Sequence, residues 1–324
     1  MSYARFLREL GADGQGVGLS EDDAHHLFGA MLDGGVPEME LGALLTELRR
    51  KPLDLNELFG FFRALAERTS RLAVPGGALR PVVLPAYGAT REYPNLLPLV
   101  ALLLRRFGVP VMIHGTLESA GGTGAAHVLR ELGVLPSAGV GPAQQALAEE
   151  GIAFLPVAAL NPGLGALISL RARLGFKTVA YTVARLMAPF GGEGFRVVGG
   201  CSAEECATLR EFLLSSGARA LLLELTEGEP FANPDRRPRL EYVAEGHTRS
   251  LFENELGAVR GGVQVASDAG STAAWTRQAL AGDAPIPLPI VNQVACCLFG
   301  AGYTDDMNQA KAIVAVETRT HVSA

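Results

Sequence analysis

The chain has 324 residues, of which 48% are hydrophobic and 19% charged, so its composition excludes a disordered protein and allows one large or two smaller domains. Its most apolar run, residues 96–104, is far shorter than the roughly 20 residues that span a bilayer, and residues 1–10 lack the apolar segment of a signal peptide. We therefore expect a cytoplasmic protein with no membrane partner. The formal net charge of −6, taken alone, argues against nucleic acid as a partner.

Residues 1–72 have the pattern of a small helical domain. Ser20 is placed to cap a helix, because three acidic residues and then apolar residues at helical spacing follow it. A second helix is predicted after Pro37 and a third over residues 55–65. No strand pattern interrupts this block, so we predict an N-terminal helical domain over residues 1–72.

A breaker-rich connection over residues 73–81 precedes a different pattern. Short apolar runs alternate with helical patterns. The predicted strands are 82–84, 109–114, 152–155, 196–198 and 218–223, and the predicted helices are 96–106, 124–132, 203–216 and 304–317. This alternation predicts that residues 73–324 form a large α/β domain with a mainly parallel central sheet and helices on both faces.

Ligands of such sheets bind beyond the carboxyl ends of the strands, which directs attention to three loops. The loop after the first strand contains a single glycine, Gly88, and two prolines that have no N–H to offer an anion. The second strand ends at His114, and Gly121, Gly122 and Gly124 follow before a helix. These glycines fit either an anion-binding loop or an ordinary turn, and His114 fits either a functional group or a satisfied polar group.

The loop after the last predicted strand is acidic. Glu224, Glu227 and Glu229 lie within six residues and could hold Mg²⁺, or they could form a solvated turn. Arg236 and Arg237 form a local cationic cluster just beyond. The four cysteines contain no Cys-x-x-Cys pair, and we predict that all are small core residues rather than zinc ligands or disulfides; they are Cys201, Cys206, Cys296 and Cys297.

Basic residues are distributed unevenly along the chain. Residues 151–192 and 94–116 contain no Asp or Glu. The cations of these stretches are Arg171, Arg173, Lys177 and Arg185 in the first, and Arg105 and Arg106 in the second. They are either ordinary solvated surface or the phosphate contacts of a nucleic-acid site.

The stretch from His114-Gly115 through Gly121 and Gly124 to Leu132-Gly133 resembles the anthranilate phosphoribosyltransferase family. The resemblance covers nearly the whole chain and implies the nucleoside phosphorylase/phosphoribosyltransferase type of fold. It assigns a vestigial substrate cleft to Gly88, Asn95, His114, Gly115, Gly121, Gly124 and Arg171, and a weak metal site to Glu227 and Glu229.

Departures from the family pattern remove the groups that hold the leaving pyrophosphate. The family's Gly-Thr-Gly-Gly-Asp loop is residues 85–89 in this chain, its Lys is Ile113, and its Asn-Arg pair is Thr116-Leu117. The Asp-Glu metal pair aligns best on Gly228-Glu229, so at most one ligand remains. Loss of one such transition-state donor costs about 10²–10³ in rate, so we expect no catalytic residues and no cofactor.

This combination is similar to a divergent branch of the family, the YbiB-like proteins. That branch implies a homodimer, formed through the helical domain, that binds nucleic acid without transferase activity. Nucleic-acid contacts are then expected from Arg171, Arg173, Lys177, Arg185, Arg105, Arg106, Arg236 and Arg237. The alternatives are a divergent phosphoribosyltransferase or other glycosyltransferase that uses Mg²⁺ and phosphoribosyl pyrophosphate or a related phosphorylated substrate, and a noncatalytic protein whose partner is another protein.

Overall fold

The computed structural model describes residues 3–11, 18–90, 93–119, 121–224, 226, 228–255 and 263–318. The chain divides into two compact units: residues 1–70 with 157–189, called the helical unit, and residues 71–156 with 190–324, called the α/β unit. The chain first passes from the helical unit to the α/β unit after residue 70, which is close to the predicted boundary after residue 72. Residues 157–189, which the predicted division assigns to the α/β domain, belong to the helical unit. The division at residue 72 into two domains stays a prediction.

Helices and strands alternate through most of the α/β unit, whereas the helical unit contains helices. In chain order, the helices are α1 (Tyr3–Gly11), α2 (Glu21–Leu32), α3 (Glu38–Arg50), α4 (Leu55–Arg68), α5 (Leu97–Arg106), α6 (Ala125–Glu131), α7 (Val140–Glu150), α8 (Val157–Leu160), α9 (Pro162–Ser169), α10 (Arg171–Leu174), α11 (Val179–Ala184), α12 (Ala203–Ser215), α13 (Ala269–Ala281), α14 (Leu288–Ala301) and α15 (Met307–Glu317). The strands are β1 (Val82–Ala86), β2 (Val111–Gly115), β3 (Ile152–Pro156), β4 (Phe195–Gly199), β5 (Ala220–Leu223), β6 (Leu240–Ala244) and β7 (His247–Phe252).

Local capping fixes where the first helices of the helical unit begin. The Ser20 hydroxyl accepts a hydrogen bond from the Asp23 N–H, which confirms the predicted cap of α2. α3 begins directly after Pro37, as predicted. α4 begins with a capping box that joins Asp54 and Glu57, a signal that the sequence prediction did not use. α2 packs on α4.

The second segment of the helical unit, residues 157–189, returns to pack on the first. Asn161 caps α9 by accepting a hydrogen bond from the Leu164 N–H. Gly163 lies against α2 so closely that a Cβ would overlap the Leu32 carbonyl oxygen. The backbone contact explains why a glycine stands at this position of α9.

The strands of the α/β unit form one sheet in the order β3-β2-β1-β4-β5-β6-β7. The first five are parallel to one another, while β6 and β7 are antiparallel. The mainly parallel sheet and the small helical domain confirm the predicted fold class. The sequence pattern predicted all five parallel strands, but not β6 or β7.

Helices cover the sheet and bury its apolar side chains. Residues of α5 and α14 share one core cluster with β1 and β2, while α7 contacts β3 and α12 contacts β5. The packing explains why β1 is buried along its whole length. In the part of the chain that the structure describes, no helix is both long and apolar enough to cross a bilayer.

The cysteines divide into three buried thiols and one exposed thiol. Cys206, Cys296 and Cys297 are buried, as predicted, and burial raises the pKa of each of these thiols. Cys201 is exposed, so the prediction that it is a core residue is wrong. It lies immediately before Ser202, the cap of α12, and therefore on a turn at the surface.

Candidate functional site

The carboxyl ends of three neighbouring strands bring the predicted cleft residues of the α/β unit together. β1 lies between β2 and β4, and its residues Pro85 and Ala86 pair in register with His114 and Gly115. The loop after β1 therefore begins beside the end of β2. Ligands of parallel α/β sheets bind at this edge, so these strand ends form the candidate site.

His114 forms a buried pair with Tyr87. Tyr87 Oη lies 2.8 Å from His114 Nδ1, and both side chains are almost fully enclosed. Burial lowers the pKa of His114 to about 3, because an apolar environment disfavours the charged ring. The imidazole is therefore neutral at pH 7 and supplies no positive charge to a phosphate. Tyr87 stands where the family pattern has a glycine.

Gly115 is required by close packing between two strands. A Cβ at this position would overlap the Ala86 carbonyl oxygen and lie 2.6 Å from the Ala86 carbonyl carbon. The next N–H, that of Thr116, donates to the same oxygen at 3.1 Å. The glycine therefore serves the approach of β1 to β2, and no ligand is needed to explain it.

Backbone groups of the glycines before α6 form hydrogen bonds within their own loop. Gly121 has a φ of +79°, which favours glycine. The Gly124 N–H donates to Ser119 Oγ at 3.1 Å, and the Ser119 hydroxyl donates to the Gly122 carbonyl at 2.7 Å. An anion nest needs N–H groups that point at the anion, whereas the Gly124 N–H is engaged by a side chain of the same loop.

Asn95 holds this loop to the loop after β1. Thr90 and Thr123 exchange backbone hydrogen bonds of 3.4 and 3.1 Å. The Asn95 side chain donates to the Thr123 carbonyl at 3.1 Å and accepts from the Leu97 N–H at 3.2 Å. Asn95 is fully buried, so its polar groups act as a structural clamp between the two loops.

Glu229 connects the loop after β5 to the loop after β1. Its Oε1 accepts a hydrogen bond from the Gly88 N–H, and its side chain is 1% exposed. A Cβ at Gly199, the last residue of β4, would lie 2.6 Å from Thr226 Oγ1 and 2.7 Å from the Glu229 carbonyl oxygen. The ends of β1 and β4 thus meet Thr226 and Glu229, and a buried carboxylate lies at the Gly88 backbone.

The described residues do not fit a magnesium site at this edge. Glu227 lies outside the described residues, and Glu229 turns its carboxylate toward the Gly88 N–H. Across the ranges that the structure describes, no group of three or more His, Cys, Asp or Glu side chains could hold a metal ion. We therefore derive no chemistry that passes through a bound metal.

Two of the four predicted cations of the helical unit, Arg171 and Lys177, lie beside Tyr181. The Arg171 guanidinium lies 5.9 Å and the Lys177 ammonium 5.7 Å from the centre of its ring. Arg173 is exposed and forms an ion pair of 3.2 Å with Glu38, which is also exposed. Arg185 is 6% exposed, so the prediction that it contacts nucleic acid at the surface is not supported by its position. Arg171, which the resemblance also assigns to the cleft, belongs to this unit.

Arg49 adds to this group of cations, and the sequence analysis missed it. Its guanidinium lies 4.4 Å from the centre of the Phe176 ring, which brings the basic end of α3 beside residues 171–177. Arg50 follows at the surface and forms an ion pair with Glu47 at 3.2 Å. The acid-free stretch at 151–192 could not reveal Arg49, because the two segments are more than 100 residues apart. We call Arg49, Arg50, Arg171, Arg173 and Lys177 the basic surface.

The predicted cations of the α/β unit are partly engaged. Arg105 and Arg236 are exposed. Arg106 forms an ion pair of 2.7 Å with Glu317 and donates to the Leu280 carbonyl, and Arg237 is paired with Glu255. Two of the four predicted contacts are therefore already bound to acceptors of the chain.

Comparisons with known proteins agree with these features. The family model described as "Glycosyl transferase family, helical bundle domain" matches residues 9–69. The chain is 36% identical over 304 residues to YbiB of Escherichia coli (strain K12), and the aligned region covers 93% of this chain and 95% of that protein. It is 28% identical over 316 residues to the anthranilate phosphoribosyltransferase of Erythrobacter litoralis, with 93% of this chain and 92% of that protein covered.

The fold has close solved counterparts. The crystal structure of anthranilate phosphoribosyltransferase from Thermus thermophilus matches with a TM-score of 0.78 at 24% identity, over 98% of this chain and 94% of that one. The likeness in fold agrees with the small helical domain and the mainly parallel sheet. The chain belongs to the anthranilate phosphoribosyltransferase-like family, of the glycosyl transferase family 3 type.

Proposed function

We propose that the chain is a catalytically inactive member of this family, a cytoplasmic homodimer that binds nucleic acid without sequence preference. The observation that carries the proposal is the stacking of Arg49 on Phe176, because it joins two basic segments into one surface. The proposal has two parts, which rest on different units of the molecule and can fail separately.

The α/β unit supports the loss of catalysis. Transfer of a phosphoribosyl group needs cations, backbone donors and a metal at the leaving pyrophosphate. At the strand ends, Tyr87 and a neutral His114 form a buried pair, and Glu229 accepts a hydrogen bond from the Gly88 N–H. Leu117, which stands where the family has an arginine, is 41% exposed and offers no donor.

The helical unit supports nucleic-acid binding. The basic surface carries five cations, four of them arginines, whose planar guanidinium groups suit phosphate oxygens. Two of these arginines, Arg50 and Arg173, are paired with Glu47 and Glu38 at the surface. Phe176 is half-buried beneath Arg49 and lies within the same surface. Neutralising phosphates releases counterions, so the affinity falls steeply with salt whatever the sequence of the nucleic acid.

The homodimer would double this surface by two-fold symmetry. We propose that it forms through the helical unit, as the resemblance implies. Met39 of α3 is 80% exposed there, an apolar side chain that a partner protomer would cover. Sedimentation at micromolar concentration measures the oligomeric state; a monomer would contradict this part of the proposal.

Fluorescence anisotropy with a labelled oligonucleotide tests binding. We expect the wild type to bind at low salt, and the triple variant Arg49→Ala, Arg171→Ala, Lys177→Ala to lose about 2–3 units from the slope of log K against log salt. The matched control is Arg249→Ala, which removes an exposed arginine of the α/β unit. Absence of binding by the wild type at low salt would contradict the proposal.

The retained cleft residues favour the alternative of a divergent transferase. Residues matching the family pattern at His114, Gly121, Gly124 and Asn95 remain. A thermal shift assay with phosphoribosyl pyrophosphate and Mg²⁺ separates the two. Stabilisation of the wild type by the pair, beyond that by salt of equal ionic strength, would favour the transferase.

A further inference from the structure

We propose that the Glu229 carboxylate is an internal anion, which occupies the oxyanion position at the carboxyl end of β1. This inference deepens the proposed loss of transferase activity and rests on that part of the proposed function. It assigns a role to Glu229 that the metal-ligand interpretation does not, and it names the ligand class that the carboxylate excludes: small multivalent oxyanions such as pyrophosphate.

Both residues contribute to the contact between Glu229 and Gly88: the glycine has no side chain in the way, and its N–H donates to the carboxylate. A Cβ at Gly88 would overlap Glu229 Oε1 and lie 3.0 and 3.1 Å from its Cγ and Cδ. A side chain at residue 88 would therefore require this carboxylate to move. The Gly88 N–H in turn gives the buried carboxylate a hydrogen bond, which offsets part of the cost of its burial.

The position of this contact is that of a bound anion in a parallel α/β sheet. Backbone N–H groups beyond the strand ends are the donors that phosphates use, and a carboxylate oxygen offers them the same kind of acceptor. Glu229 reaches this donor from the loop after β5, at the opposite side of β4. The chain thus supplies both the donor and the anion.

Neighbouring donors are also engaged by the chain. The Thr123 N–H donates to the Thr90 carbonyl, the Gly124 N–H to Ser119 Oγ, and the Gly228 N–H to Thr226 Oγ1 at 3.1 Å. Of the four contacts, only the one at Gly88 involves a formal negative charge. Among the described contacts at this edge, the one to Glu229 is therefore the one whose removal should uncover an anion-binding donor.

Titration calorimetry with pyrophosphate, at constant ionic strength and without metal, tests this inference. We expect Glu229→Ala to bind pyrophosphate more tightly than the wild type by about tenfold or more, because the Gly88 N–H becomes available to the anion and the competing carboxyl group is removed. The matched control is Glu193→Ala, which removes an exposed negative charge just before the amino end of β4 and should leave the affinity unchanged. Equal affinities of wild type and a folded Glu229→Ala would overturn the inference.

A second measurement does not depend on the stability of that variant. Tyr87-Gly88 is the only Tyr-Gly pair in the sequence, so labelling Tyr with ¹³C′ and Gly with ¹⁵N isolates the Gly88 amide in an NMR spectrum. We expect its proton to move upfield in Glu229→Gln, because a neutral oxygen accepts more weakly than a carboxylate. An unchanged Gly88 signal would overturn the inference. Turnover of phosphoribosyl pyrophosphate by the wild type would instead contradict the proposed function.

Discussion

The strand-end cleft of the α/β unit and the basic surface of the helical unit differ in whether their polar groups are buried or exposed. In the cleft, Gly88, His114 and Asn95 bind other groups of the chain and are buried. On the basic surface, Arg49 and Lys177 lie over aromatic rings and are exposed. A cleft can therefore keep the glycines and strand ends of its family as packing, while exposed positive charge lies in another part of the chain.

The largest expected effect tests whether the cleft glycines serve packing. Gly115→Ala places a Cβ on the Ala86 carbonyl, and we expect it to lower the free energy of unfolding by about 3 kcal/mol. Gly139→Ala is the control, because no atom lies within 4 Å of its added Cβ. Urea unfolding measures both variants. If Gly115→Ala is as stable as the control, the close approach of β1 and β2 does not explain this glycine.

The next effect tests the neutral state of His114 through pH. Its pKa of about 3 lies below the ordinary 6.5, so the unfolded state binds more protons between these values. The resulting stability is present above pH 6.5 and is lost as the pH falls toward 3. From pH 6.5 to 5, we expect the wild type to lose about 2 kcal/mol more than His114→Gln does.

Urea unfolding at several pH values measures this difference. Other groups titrate in both proteins, so only the difference between the two pH profiles reports on His114. His127→Gln, which changes a half-buried histidine on α6, serves as the matched control. Parallel profiles for wild type and His114→Gln would show that the buried ring is not neutral in the folded protein.

The smallest effect concerns single residues of the basic surface. Arg49→Ala should weaken oligonucleotide binding a few-fold and lower the salt slope by about one unit, since it removes one phosphate contact. Arg49→Lys keeps the charge and should retain most of the slope, whereas it loses the guanidinium group that lies 4.4 Å from the centre of the Phe176 ring. Anisotropy titrations at several salt concentrations measure both. An Arg49→Ala variant with the wild-type slope would remove Arg49 from the surface.

Much of the α/β unit was predictable because its signals are local. The five parallel strands and the helices around residues 97–106 and 203–215 follow from short apolar runs and helical spacing. β6 and β7 were not predicted, since β7 is an exposed edge strand with no clear alternation of buried residues. The assignment of residues 157–189 to the helical unit also depends on packing, namely of α9 on α2.

In the candidate sites, too, local sequence signals identified some residues, whereas their contacts depend on packing. The sequence identified His114, Asn95 and Gly88 as strand-end residues, but not what they bind. Arg185, which directly follows α11, carried the expected charge and is nevertheless only 6% exposed, which depends on packing and not on the local sequence. Arg49 carried no sequence signal, because its partner Phe176 lies in a segment 127 positions along the chain, which only packing brings close.

By itself, the sequence determined the fold class, the family and the departures from its substrate loops, because apolar periodicity and residue identity are properties of the chain. Only the tertiary structure decided that Glu229 meets Gly88 and that Tyr87 meets His114. These contacts join residues 141 and 27 positions apart. Hydrogen bonds of this kind depend on ångström-scale distances between strand ends, which the order of residues along the chain does not specify.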